Sequence, residues 1–213
     1  EPIPDLKIEF YGNSITSGHG VLDESRNNND DRALWDNYES SAAVTARALN
    51  ADYRCISMSG IGLLVSWFPL TMPELYNRLD PNDGSSIWDF EQWQADVVVV
   101  NLFQNDSWLI FDLPEAERTE EAIVGAYLDF IQLLRTNYPE ALLVCTVGNM
   151  DASNSDAPWQ GYIDAAVSRA QSEFDDTRVY SVSLPYKNTG AHPTVSEQQQ
   201  MSDILIPFIQ SVL

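Results

Sequence analysis

The sequence predicts an α/β protein, a three-layer α/β/α sandwich with a five-stranded parallel sheet of the flavodoxin-like kind. Short apolar runs alternate with amphipathic segments along all 213 residues, which is typical of parallel βαβ units. Residues 96–103 contain four consecutive valines, as expected of a central strand that is buried on both faces. No repeat of fixed period interrupts this pattern, so we expect a single domain over residues 1–213.

Five segments are predicted to form the strands. Each is short and apolar, and most end at a glycine or a polar residue that favours a turn. The predicted strands are residues 6–11, 52–58, 96–103, 141–147 and 178–182.

Apolar residues recur at helical spacing between these runs. The clearest helix is predicted over residues 119–138, where one face is apolar and Pro139 stops the pattern. The other predicted helices are residues 38–49, 71–79, 162–174 and 196–213, the last with a kink at Pro207. Residues 17–36 are predicted to form a solvated loop, because their acidic side chains do not follow the spacing of a calcium-binding loop.

The charge of the chain restricts its partners. The sequence has 11 Lys and Arg against 32 Asp and Glu, a formal net charge of −21, and such a field repels nucleic acid and anionic membranes. No apolar run approaches the ~18 residues of a membrane-spanning helix. The two cysteines, Cys55 and Cys145, are expected to be separate buried thiols in strands.

A serine follows the first predicted strand in the sequence Gly12-Asn13-Ser14. The glycine permits a sharp turn, and open α/β sheets bind their ligands at the carboxyl ends of the strands. On this segment alone Ser14 has two interpretations: a cap of the next helix or a nucleophile.

Three further residues favour the nucleophile. Gly60 follows the second predicted strand, Asn105 follows the third, and His192 precedes the last helix. Histidine, with an unperturbed pKa of about 6.5, suits a base that removes the serine proton. The amides of Ser14 and Gly60 and the side chain of Asn105 suit the stabilisation of an oxyanion. The other histidine, His19, is expected to lie too close to Ser14 along the chain to turn back on it.

These residues resemble the motifs of a known family. Gly12-Asn13-Ser14-Ile15, Gly60, Asn105-Asp106 and His192-Pro193 are similar, in the same order, to the four blocks of the SGNH (GDSL-type) hydrolases. Residues 8–16 and 46–51 also resemble the carbohydrate esterase family 2 branch, acetyl esterases that act on plant polysaccharides such as xylan and mannan.

The resemblance implies a secreted serine esterase that removes acetyl groups from an acetylated polysaccharide through an acyl-enzyme. Ser14 and His192 would be catalytic, and Gly60 and Asn105 would form the oxyanion hole. It also implies a small β-sandwich domain before this chain, in keeping with the linker-like start Glu1-Pro2-Ile3-Pro4. No metal or cofactor is expected, because clustered His and Cys ligands and phosphate-binding glycine loops are missing from the sequence.

Two alternatives stay open at this point. A lipase or thioesterase of the same fold is the nearest, although a lipase should carry an apolar lid and residues 17–36 are polar. The other is a carbohydrate-binding domain that has lost its activity.

The sequence departs from the family pattern at two positions. Asn13 stands where an Asp usually precedes the serine, with little consequence expected. Thr189 stands three residues before His192, where the family has the acid that orients the imidazole. In the family 2 branch a Ser–His dyad is known in which a backbone carbonyl holds the ring, and the resemblance implies the same here. A contact between His192 Nδ1 and Asp151, or another acid, would contradict it.

Aromatic residues are the only guide to the substrate. Trp108 follows Asn105 by three residues and is predicted to stack on a sugar ring. Trp67 and Trp159 lie in other loops, and packing in the protein interior is the favoured interpretation for both.

Overall fold

The chain folds around one parallel sheet. The computed structural model describes residues 3–213. Its strands follow the order β2-β1-β3-β4-β5, and every neighbouring pair is parallel. This confirms the predicted α/β class and the five-stranded sheet. The strands are β1 (Lys7–Gly12), β2 (Asp52–Ser57), β3 (Val97–Asn101), β4 (Leu142–Thr146) and β5 (Val179–Ser181).

Helices cover both faces of the sheet. The predicted helices are present with shifted ends, and the last one continues through Pro207. Two short helices directly after β1 and β3 lack an apolar stripe, so helical periodicity does not predict them. Within residues 3–213 no helix has the length and apolar content needed to cross a bilayer. The helices are α1 (Ser14–Ser17), α2 (Ser41–Ala48), α3 (Met72–Leu75), α4 (Gln104–Leu109), α5 (Glu120–Asn137), α6 (Trp159–Phe174) and α7 (Val195–Val212).

The valines of β3 show how the layers are built. All residues of this strand are buried, and successive side chains of a strand point to opposite faces. Val97 and Val99 pack in the core that α2 and α7 cover, whereas Val98 and Val100 pack in the core that α5 and α6 cover. The continuous apolar run is therefore explained by burial on both faces, as predicted.

The edge strand β2 differs from its prediction. Its residues are all only partly buried, because β2 has a neighbour on one side only. Cys55 is consequently half-buried and Cys145 of β4 is fully buried, and both are free thiols. The prediction of two separate thiols is confirmed, while full burial of Cys55 is wrong.

The strand order decides where the loops meet. β1 lies between β2 and β3. The chain therefore goes from β1 to β2 on one side and then crosses to the other side of β1 to form β3. In open parallel sheets this switch point opens a crevice at the carboxyl ends of the strands. The loops after β1, β2 and β3 thus lie side by side at one edge.

One carboxyl group is buried in this sheet away from that edge. Glu9 of β1 is 2% exposed and accepts hydrogen bonds from the hydroxyls of Tyr11 and Tyr138. Burial raises the pKa of Glu9, and the two hydroxyls together with the Arg54 cation partly oppose the shift. The folded chain therefore holds this proton more tightly than the unfolded chain does.

The Glu9 carboxyl group should make the protein less stable as the pH rises, and the substitution Glu9→Gln should remove this pH dependence. Because the folded pKa is raised, the unfolded chain releases the Glu9 proton first, and the favourable contribution is lost as the pH rises above the ordinary value of 4.5. We expect the unfolding free energy of the wild type, relative to the variant, to fall in urea titrations as the pH rises above 4.5. Glu140→Gln, at an exposed position, is the matched control. A difference that stays constant with pH would contradict the argument.

Candidate active site

Ser14 lies in the turn that ends β1. Asn13 is the N-cap of α1, since its side-chain oxygen accepts a hydrogen bond from Ile15 N–H at 3.0 Å. The capping interpretation of Ser14 is therefore wrong, and its hydroxyl is free for another contact. Gly12 is required for this turn, because a Cβ there would lie 2.0 Å from Thr16 Oγ1.

His192 faces Ser14 across the switch point. Its Nε2 lies 2.9 Å from Ser14 Oγ. Burial lowers the pKa of His192 to about 3, and the charges of His19 and Lys187 add to the effect. The imidazole is therefore neutral near neutral pH, and a neutral ring nitrogen can accept the serine proton. The structure brings together the two residues that the sequence predicted as nucleophile and base.

His19 also lies at the site, although we expected it to be unable to turn back. Its ring stacks on His192 with centroids 4.1 Å apart and on Trp35 with centroids 3.9 Å apart, so it is sandwiched between the two rings. Its Nδ1 lies 3.0 Å from Ser59 Oγ. His19 thus packs against the ring of His192 and does not take its place beside Ser14.

The segment 17–36 is a loop with many exposed residues, as predicted, but part of it is buried and folded against the site. Its ends are joined where Asp36 N–H donates to Gly18 O at 3.1 Å. Asp23 is only 3% exposed. A Cβ on Gly18 would lie 2.2 Å from the Asp36 carbonyl oxygen, which explains the glycine at this closure. We call residues 17–36 the N-terminal loop.

The N-terminal loop is fastened to the chain around His192. The Arg26 guanidinium donates to both carboxylate oxygens of Glu197, at 3.0 and 2.8 Å. Val195 N–H donates to Val21 O at 3.1 Å. Two segments that are distant in sequence are therefore held together beside Ser14.

Nδ1 of His192 faces a side-chain amide. Its partner is Asn29 Oδ1 at 2.9 Å, so the implied backbone carbonyl is wrong. Asp151 instead accepts hydrogen bonds from Gln104 and Trp108, each at 2.7 Å. The Thr189 hydroxyl donates to a carboxylate oxygen of Glu197, in α7, at 2.6 Å. No acid contacts Nδ1 within residues 3–213, and the sequence offered no signal that singled out Asn29 from its neighbouring asparagines.

A buried carboxylate shapes the loop after β2, residues 58–67, which we call the Gly60 loop. Asp106 Oδ1 accepts hydrogen bonds from the N–H groups of Leu63, Leu64 and Val65 at 3.0, 2.7 and 3.1 Å. Burial raises the pKa of Asp106, and the same backbone N–H groups counteract the shift. Asp106 had no assigned role in the sequence beyond its place in the Asn105-Asp106 motif.

Asn105 lies against the Gly60 loop. Its Nδ2 donates to Ile61 O at 2.7 Å, and its Oδ1 accepts from Trp67 Nε1 at 3.1 Å. Gly60 itself has a φ of +90°, a conformation that residues with a side chain rarely adopt. One of the two Asn105 amide protons is committed to Ile61, and the other remains for a further acceptor.

The three tryptophans of interest differ in exposure. Trp159 is 7% exposed and packs on the ring of Phe103 at 5.2 Å, so its interpretation as interior packing is confirmed. Trp67 is 62% exposed, and the same interpretation is wrong for it. Trp108 is 41% exposed, and the Asp151 carboxylate holds its indole N–H.

The buried carboxylate of the N-terminal loop has its hydrogen-bond donors within that loop. Asp23 accepts hydrogen bonds from Ser25 Oγ and from Asn28 N–H at 2.6 and 2.7 Å. Among residues 3–213 no group of three or more His, Cys, Asp or Glu side chains is arranged to hold a metal ion.

Comparison with known proteins finds homologues of this chain. No family model matches the chain. The cellulase/esterase CelE of Acetivibrio thermocellus is 33% identical over 218 residues, which is 98% of this chain and 26% of that protein. An acetylxylan esterase/glucomannan deacetylase of Cellvibrio japonicus is 26% identical over 219 residues, 99% of this chain and 58% of that protein.

A solved structure gives the same result. A family two carbohydrate esterase from Clostridium thermocellum, in complex with cellohexaose, superposes with a TM-score of 0.86 at 30% identity and covers 99% of this chain and 65% of that chain. The homologues of this chain are family 2 carbohydrate esterases. The motif resemblance to that family is thereby confirmed. The chain spans about a quarter of the length of CelE and somewhat over half of the length of the Cellvibrio japonicus protein.

The substitution Asp106→Ala should destabilise the chain strongly. The substitution leaves three backbone N–H groups of the Gly60 loop without an acceptor, and each buried unsatisfied donor costs about 1–3 kcal/mol. We expect the free energy of unfolding in urea to fall by roughly 3 kcal/mol or more. Asp129→Ala, at an exposed position of α5, is the control and should change it by no more than about 0.5 kcal/mol. Equal losses in the two variants would contradict the role of Asp106.

Proposed function

We propose that this chain is a serine esterase that removes O-acetyl groups from plant polysaccharides of the xylan or mannan type. The observation that carries the proposal is the 2.9 Å contact between His192 Nε2 and Ser14 Oγ. The substrate class is supported by a relative named acetylxylan esterase/glucomannan deacetylase.

The reaction follows from the Ser14–His192 pair. His192 Nε2 removes the hydroxyl proton as Ser14 Oγ attacks the acetyl carbonyl carbon. The tetrahedral intermediate collapses, and the imidazolium gives its proton to the departing sugar oxygen. Water, deprotonated by the same Nε2, then attacks the acetyl-Ser14 ester, so that acetate leaves and the serine hydroxyl is restored.

Three donors are proposed to stabilise the oxyanion. Ser14 is the first residue of α1, and the N–H groups at a helix start have no intrahelical acceptor. Gly60, in the adjacent loop, has the left-handed backbone described above. Asn105 has one amide proton beyond the one that it donates to Ile61. Such preorganised donors are commonly worth about 3 kcal/mol each in the transition state.

Trp108 is proposed to stack on a sugar ring of the substrate. The ring is 41% exposed, while its N–H is bound by Asp151, so an apolar face is presented at a fixed angle. Aromatic rings held in this way lose little conformational freedom when they bind. Trp67, with 62% of its surface exposed, lies on the Gly60 loop and donates its indole N–H to Asn105.

The location and further partners of the chain belong to the same proposal. Acetylated plant polysaccharide lies outside the cell that degrades it, so the proposed substrate favours a secreted protein. The net charge of −21 disfavours binding to nucleic acid or to anionic membranes. The relatives are longer than the matched region, which is compatible with the β-sandwich domain that the motif resemblance implies.

Ser14→Ala should abolish acetate release. Without the nucleophile we expect the rate on acetylated xylan and acetylated glucomannan to fall by about a thousandfold or more. Ser168→Ala, at an exposed position of α6, is the matched control and should keep the wild-type rate. A long-chain ester is measured alongside, and faster cleavage of that ester would favour the lipase alternative. Unchanged acetate release by the Ser14 variant would overturn the catalytic proposal, and wild-type protein that binds the polysaccharide without releasing acetate would indicate a binding domain.

Trp108→Ala should weaken polymer binding and leave the chemical step intact. The loss of about 1 kcal/mol of stacking corresponds to a KM for acetylated polysaccharide that rises about fivefold. We expect kcat on a small aryl acetate to stay unchanged, since that substrate does not reach the ring. Phe174→Ala removes another exposed aromatic ring, 54% exposed at the end of α6, and serves as the control. An equal rise in KM for both substrates would contradict a sugar-stacking role.

A further inference from the structure

We propose that Asp23 acts on His192 through the side-chain amide of Asn29, so that these two residues together replace the acid that is missing at Thr189. The inference rests on the proposed function of Ser14 and His192 and adds two positioning residues to it. It is carried by a chain of hydrogen bonds that runs from a buried carboxylate to the imidazole.

Two hydrogen-bond partners, one that can only donate and one that accepts, determine the orientation of the Asn29 amide. His192 backbone N–H, which can only donate, lies 2.6 Å from Asn29 Oδ1. The Asp23 carboxylate, which accepts hydrogen bonds, lies 3.0 Å from Asn29 Nδ2. A flipped amide would place N–H against N–H on one side and oxygen against oxygen on the other. The carbonyl oxygen of Asn29 must therefore face the imidazole.

This orientation selects the tautomer of His192. Nδ1 lies 2.9 Å from Asn29 Oδ1, an acceptor, and so must carry the proton. In the neutral ring Nε2 then has the free lone pair, and it points at Ser14 Oγ, 2.9 Å away. The opposite tautomer would place a proton between Nε2 and the serine and could not act as a base.

Asp23 is well suited to hold the amide in place. Hydrogen bonds from Ser25 and Asn29 and from backbone N–H groups lower the pKa of Asp23 to about 2. The side chain is therefore an anion, and only an acceptor, throughout the range in which an esterase works. Its negative charge also polarises the Asn29 amide toward the imidazole, because hydrogen bonds in a chain strengthen one another.

The surroundings of Asn29 leave it little freedom. Trp35 Nε1 donates to the Asn29 backbone oxygen at 2.7 Å. Gly20, at φ +61°, lets the amide approach so closely that a Cβ there would lie 2.8 Å from Asn29 Cγ. The Arg26–Glu197 ion pair holds the whole N-terminal loop against the His192 segment. These contacts hold the Asn29 amide in a fixed position beside the His192 imidazole.

Several other charged or titratable groups lie near His192. His19 stacks on its ring and Lys187 lies near enough for its charge to lower the His192 pKa. Asp30 lies 3.5 Å from His19 Nε2, beyond the stacked ring. The only anion aligned with Nδ1 among the residues described here is Asp23, with one amide in between.

The tautomer can be measured directly. The chain has 2 histidines, so long-range ¹H–¹⁵N spectra of protein labelled in histidine show only two rings, assigned with His19→Gln. We expect His192 to be the Nδ1–H tautomer at neutral pH in the wild type and a mixture of tautomers in Asp23→Asn. Glu24→Gln removes a neighbouring exposed charge and should leave the spectrum unchanged. An Nε2–H ring in the wild type, or a wild-type spectrum in Asp23→Asn, would overturn the inference.

Kinetics test the same connection. We expect Asp23→Asn to lower kcat for acetate release about tenfold or more without changing KM, and Asn29→Ala to lower it at least as much. Because Asp23 acts through Asn29, Asp23→Asn should have no further effect in the Asn29→Ala background. Additive losses would contradict the connection. If the tautomer shifts as expected while Ser14→Ala still releases acetate, the proposed function fails and the support of His192 stands.

Discussion

The contact between Ser14 Oγ and His192 Nε2 depends on the fastening of the N-terminal loop to the segment before α7. Serine and histidine come from opposite ends of the chain, and the sheet alone places only the serine. The Arg26–Glu197 ion pair and the Asn29–His192 hydrogen bonds supply the second constraint. The loop thus has the role that a dedicated acid has in a Ser-His-Asp triad, because it sets the position and the protonation of the ring.

Buried carboxylates support this arrangement at two places. Asp106 accepts hydrogen bonds from N–H groups of the Gly60 loop, and Asp23 accepts hydrogen bonds from donors within the N-terminal loop. Burying an ion is costly unless hydrogen bonds satisfy it, and each of these carboxylates accepts several. Both therefore convert a flexible loop into a defined surface, one at the proposed oxyanion hole and one behind the proposed base.

Much of the fold followed from local patterns. The four valines of β3 and the apolar stripe of α5 are readable because burial imposes a period of two on strands and of 3.6 on helices. Ser14, Gly60 and Asn105 were found because the carboxyl ends of parallel strands must meet at one edge. By contrast, α1 and α4 are too short for a period to show, and Asn29 stands among other asparagines in a polar loop with nothing to distinguish it.

The sequence by itself determined the fold class, the position of Ser14, Gly60 and Asn105 after strands that end at one edge of the sheet, and the choice of Ser14 and His192 as partners. These depend on residue type and on the order of elements along the chain. Tertiary structure alone decided that His19 stacks on His192, that Trp67 is exposed, and that Asn29 and Asp23 stand behind the imidazole in place of a backbone carbonyl. Such contacts join residues across loops, and the hydrogen bonds that form them leave no periodic pattern in the sequence.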